Sequence, residues 1–116
     1  MTGNDNPNGA VMRLFQVKTK PDCGAKLMQS FATTSADVVQ HEPGNRGYFF
    51  GQGMELNDNV VMFASFWEDL GAVKQRFGDS WQQSFLPEGY EDLIEECSVT
   101  HIQVGPGWNV RLDSPD

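Results

Sequence analysis

The side chains that most often carry chemistry are few in this 116-residue chain, and they stand far apart. Two histidines, His41 and His101, and two cysteines, Cys23 and Cys97, give no ligand pair at the close spacing of a zinc site, so no metal is expected. Glu95 and Glu96 adjoin in a strand-like run and must point to opposite faces, which excludes a paired-carboxylate site. Gly51 and Gly53 flank Gln52 inside a β-rich stretch and do not open a helix, so they form no phosphate loop. Ser84 and Ser98 lack an adjacent His–acid arrangement that would activate a nucleophile. A lone strand histidine such as His101 is more often a hydrogen-bonded structural group than a ligand. Eight Phe, three Trp and two Tyr remain, and none of these residues by type or spacing marks a nucleophile or a metal site.

The elements that must position these residues follow from periodicity. The run from Ala10 to Lys18 (AVMRLFQVK) is β-rich and stops at Lys20-Pro21-Asp22, because Pro21 cannot continue a ladder. From Cys23 the spacing turns helical, with Leu27, Met28, Phe31, Ala32, Ser35, Val38 and Val39 on one stripe until Pro43-Gly44. A second strand is predicted from Arg46 to Leu56, with Tyr48, Phe50, Gln52, Met54 and Leu56 on one face and a bulge near Gly51 and Gly53. Asn57-Asp58-Asn59 forms the turn into a third strand, Val60 to Trp67. Leu70, Val73, Phe77 and Trp81 then recur at helical spacing, with a break at Gly78-Asp79. A short helical turn at Tyr90 to Ile94 precedes the last strand, Glu95 to Val104.

The order is strand, helix, strand, strand, helix, strand. This predicts an α+β, ferredoxin-like βαββαβ fold with a four-stranded antiparallel sheet and both helices on one face. One domain is expected over residues 10–104, since domains usually run to roughly 100–150 residues. Residues 1–9 read as a disordered lead-in. Residues 105–116 form a tail whose Trp108, Val110 and Leu112 are expected to lie along a neighbouring surface.

The net charge of −8 and pI near 4.5 argue against nucleic acid or an anionic membrane as partner, since both are polyanions. No apolar run approaches the ~20 residues needed to cross a bilayer. Two distant cysteines and no basic-then-apolar leader after Met1 give a cytoplasmic expectation.

The third strand is apolar on both faces, with Val61, Phe63 and Trp67 on one and Val60, Met62, Ala64 and Phe66 on the other. The first strand is similar, with Met12 and Leu14 on one side and Val11, Phe15 and Val17 on the other. Two helices cover only one such face. A second copy of the chain is the simplest cover for the other, so a homodimer is expected. The alternative is a monomer whose tail, with Trp108 and Leu112, lies over that face.

The strand ending FASFWED, the helix LGAVKQRFG, the following W and LP, and the closing IEECSVTHIQV together resemble the antibiotic-biosynthesis-monooxygenase-like superfamily. The likeness spans most of the ordered chain and rests on strand order and the Trp that ends strand three. It implies a dimeric α/β-barrel built on the ferredoxin-like fold, with a pocket between sheet and helices that the Trp faces. Trp67 is the matching residue. The pocket wall implied beside it is Phe63, Phe31, Phe77 and Trp81, although each of these four is also an ordinary core residue. Polar donors for a substrate oxyanion are sought among the Trp67 indole, Gln16, Arg13 and Tyr48. Gln16 is expected to share the helix-side face with Leu14, and Arg13 to point to the dimer side.

Haem-degrading members of the superfamily carry an Asn in strand one and an iron-ligating His on the helix after the Trp. Here strand one has no Asn, and the helix from Asp69 to Phe77 has no His. The resemblance therefore implies a cofactor-independent monooxygenase acting on a small aromatic or apolar metabolite, with Trp67 and Gln16 at the reacting centre. The alternative is a non-catalytic small-molecule-binding or structural dimer of the same fold.

Overall fold

A computed structural model describes residues 9–105. The lead-in and the tail, with Trp108 and Leu112, lie outside the described residues apart from Gly9 and Gly105.

Four strands, β1 (Val11–Thr19), β2 (Asn45–Gln52), β3 (Val60–Trp67) and β4 (Ile94–Gln103), form one antiparallel sheet in the order β2-β3-β1-β4. The split-βαβ order expected from the sequence is therefore present. The first helical segment runs without interruption through α1 (Gly24–Ser30), a π-helical turn (Phe31–Ser35) and α2 (Ala36–Val39). The second helix, α3 (Leu70–Phe77), starts on the Asp69 carboxylate, which accepts a hydrogen bond from the Ala72 amide at 2.9 Å. It stops at Gly78, whose φ of 70° only glycine adopts easily, and short 3₁₀ turns follow at Gly78–Ser80 and Tyr90–Asp92.

Both helices pack on one face of the sheet. Leu27, Phe31, Val61, Trp67 and Val73 are fully buried between the two layers.

Two expectations are corrected. The second strand ends at Gln52 and not near Leu56. A Cβ at Gly53 would lie 2.2 Å from the Asn57 carbonyl oxygen, so the chain folds back there and turns through Glu55 at φ 56°. Met54 and Leu56, expected on a strand face, are 78% and 96% exposed in that turn.

The second correction concerns β1. Val11, Arg13, Phe15, Val17 and Thr19 are buried towards the helices, while Met12 and Leu14 are half-buried and Gln16 and Lys18 exposed on the opposite face. Leu14 and Gln16 thus lie away from the helices, and Arg13 lies beneath them. The physical reason is solvation. Gln16 and Lys18 share one parity, and that parity must take the face the helices leave open.

Candidate functional site

Between the sheet and the helices lies a cleft of about 400 Å³, its open mouth included. The sheet supplies Arg13 and Phe15 from β1 and Phe63 and Ser65 from β3. The helices supply Ser35, Val38, Val39 and Phe77, and the segment before β4 supplies Phe85 and Pro87. The lining is apolar apart from Arg13, Ser35 and Ser65.

Strand register explains why the polar groups gather. Tyr48 pairs with Ser65, Ser65 with Arg13, and Arg13 with His101, so one polar row crosses the helix-side face of all four strands. Phe50, Phe63, Phe15 and Val99 form the next row, which is wholly apolar.

Arg13 is 5% exposed. Its Nη1 donates to the Trp81 carbonyl at 2.5 Å and to His101 Nε2 at 3.0 Å, and its Nη2 donates to the Gln83 carbonyl at 3.0 Å. The guanidinium carbon sits 3.8 Å from the centre of the Phe77 ring. No carboxylate pairs with it among the described residues, where the ion pairs are Arg46–Glu68 and Arg76–Glu42. Burial, together with the charge of Arg76, lowers the Arg13 pKa to about 10, which leaves it a cation at neutral pH. Burial and the Arg13 charge lower His101 to about 4. A neutral His101 can then accept at Nε2, with its proton on Nδ1.

Ser65 Oγ accepts the indole N–H of Trp67 at 2.9 Å, which leaves the serine hydroxyl hydrogen available to the cleft. On the helix side, Tyr90 donates its phenol hydrogen to the Ser30 carbonyl at 3.1 Å. Ser35 Oγ lies 2.6 Å from the Tyr90 oxygen and must be the donor in that contact. Burial raises the Tyr90 pKa, so the phenol keeps its hydrogen. Ser35 closes the π turn, a local widening of the helix that often marks functional positions.

The residues expected from the sequence distribute unevenly. Phe63 and Phe77 line the cleft. Phe31 lies a layer deeper, fully buried and edge-on to Phe63 at 5.4 Å and Phe15 at 6.0 Å. Trp67 is fully buried behind Ser65 and edge-on to Phe77 at 6.0 Å, so its indole supports the wall and does not form it. Trp81 packs against His101, with ring centres 4.9 Å apart, and is not part of the cleft lining. Leu14 and Gln16 face away. Sequence reasoning considered Arg13 as a donor but set it on the dimer side, and it missed Ser65 and Ser35. The signal for Arg13 was the shared parity of Gln16 and Lys18, which marks the wet side of β1 and places Arg13 with Val11, Phe15 and Val17.

Among the described residues, no group of three or more His, Cys, Asp or Glu gathers as a metal site, and no helix is long and apolar enough to cross a membrane.

Comparisons with known proteins agree with this architecture. The family model for antibiotic biosynthesis monooxygenase matches residues 10–84. Among solved structures, a Shewanella oneidensis protein superposes with a TM-score of 0.67 at 15% identity, covering 84% of this chain and 92% of its own. A Pseudomonas aeruginosa protein gives a TM-score of 0.65 at 15% identity, with 86% and 98% covered. A candidate antibiotic biosynthesis monooxygenase from Deinococcus radiodurans gives 0.66 at 17% identity, with 87% and 98% covered. At such identities these likenesses establish the fold alone. No curated protein sequence matches the chain.

Proposed function

Because the chain belongs to the antibiotic biosynthesis monooxygenase family, whose model spans residues 10–84, we propose that it is a monooxygenase of a small aromatic or apolar metabolite. In this reading the substrate, and not a bound cofactor, supplies the electrons. The observation that carries it is an apolar cleft, walled by Phe63, Phe77 and Phe85, with one buried guanidinium at its edge that has no acid partner among the described residues.

An electron-rich phenol reacts with dioxygen most readily as its anion. The protein's part is to hold the ring, exclude water and stabilise the negative oxygen. The Phe walls do the first two. The Arg13 guanidinium and the Ser65 hydroxyl are the donors available for the third. One atom of dioxygen is inserted at a ring carbon. The other leaves as water with the ring and phenol hydrogens, giving a quinone.

A homodimer formed through the sheet face opposite the helices belongs to the same proposal. That face carries Met12, Leu14, Phe49, Met62 and Ile102.

The test is oxygen uptake with a panel of phenols and quinols, with and without a chelator. Turnover unaffected by the chelator is expected. If the whole panel is inert, the monooxygenase reading is abandoned for a binding module of the same fold. That module would show thermal stabilisation by ligand without product.

A further inference from the structure

Arg13 carries more information than a generic oxyanion donor would. A guanidinium has five N–H donors, and three of them are committed to Trp81, His101 and Gln83. The Nε–H and one Nη2–H have no hydrogen-bond partner among the described residues. These two nitrogens bound the side-on edge of the guanidinium, the edge that meets a carboxylate through two parallel bonds. Ser65, the direct cross-strand neighbour of Arg13, has its hydroxyl hydrogen uncommitted because its oxygen already accepts from Trp67. Among the described residues, the cleft therefore presents free donors and no acid to receive them.

Charge points the same way. Arg13 and Arg76 both lie against Phe77, at 3.8 and 5.2 Å from its ring centre, in a chain whose net charge is −8. Arg76 is answered by Glu42 at 3.6 Å, whereas Arg13 has no acid partner among the described residues. A buried, unanswered cation is costly, and an incoming anion relieves that cost.

We propose that the ligand of this cleft is an aromatic carboxylic acid, its ring against Phe63 and Phe77 and its carboxylate held side-on by Arg13 with Ser65 donating beside it. This rests on reading the cleft as the ligand site, but it does not depend on what reaction follows. An ionised phenol shares the anionic oxygen and would meet the same donors, although it fills the two-bond edge less well than a carboxylate does.

The experiment is calorimetric binding to the full chain with three probes of one ring system: naphthoate, the neutral naphthamide, and naphthol. Naphthoate is expected to bind about tenfold or more tightly than naphthamide at neutral pH. Arg13→Met should erase that preference and Ser65→Ala should reduce it. Should Arg13→Met fail to fold, the acid–amide comparison on the unmodified chain decides alone. Equal affinity for acid and amide, or no binding of naphthoate, overturns the proposal. Naphthol affinity that grows on ionisation and exceeds that of naphthoate also overturns it, in favour of a phenolate site. Naphthoate binding with no oxygen uptake across the phenol panel would leave this inference standing and remove the monooxygenase. Oxygen uptake by neutral substrates with no acid preference would do the reverse.

Discussion

Arg13 and His101 show how one buried cation sets the state of its neighbours. His101 accepts from Arg13 only while neutral, and burial beside that charge lowers its pKa from 6.5 to about 4. The folded protein therefore binds this proton less readily than the unfolded chain. The contribution to stability is present above the ordinary value of 6.5 and is lost as pH falls through about 4. Urea unfolding midpoints should drop as pH is lowered through that window. His101→Gln, which keeps an acceptor for Arg13 but cannot titrate, should drop less than the parent. Parallel slopes for the two proteins would remove the neutral-histidine assignment. Trp67 also acts through a neighbour, since its indole fixes the orientation of the Ser65 hydroxyl without reaching the cleft.

The elements hold these residues through a few local devices. The π turn at Phe31–Ser35 places Ser35 on the cleft while Phe31 goes into the core. Gly44, at φ 85°, lets the chain leave the first helix so closely that an added Cβ would lie 2.6 Å from Ala72 Cβ. The Asp69 cap opens α3, which carries Phe77 over the guanidinium of Arg13. Asp69→Ala leaves an amide of the first turn without its acceptor and should cost about 0.5–2 kcal/mol, read from urea unfolding. Because α3 is only two turns long, the same variant should also weaken ligand binding by loosening Phe77. Stability unchanged within error would show that the cap is dispensable.

For the whole molecule, the two sheet faces pose one packing question. The helices answer it for the face bearing Phe15, Phe63 and Trp67. The other face bears Met12, Leu14, Phe49, Met62 and Ile102, and the proposed second copy would cover it. Light scattering on the purified chain should return twice its 12.9 kDa mass. Leu14→Glu, which sets a charge in the middle of that face, should return the single mass with the fold intact. A monomeric parent protein would overturn the dimer.

The amino-acid sequence by itself determined the element order and the sheet type. Helical and strand periods, Pro21, Pro43, Gly44 and Gly78 are local signals, readable without knowing what lies across the sheet. It also singled out Phe63 and Phe77, which the cleft uses, and Trp67, which stands behind it. Only the tertiary structure decided which face of β1 the helices cover. That choice exchanged Gln16 for Arg13, because both parities of β1 carry large apolar residues and a one-residue change of parity reverses every side chain. Ser65 and Arg13 become neighbours through strand register, and Ser35 joins them across the layers. Register and layer packing join residues distant in the chain, so no local pattern records them. The buried cation at the cleft, without an acid partner among the described residues, is in place only once those distant segments meet.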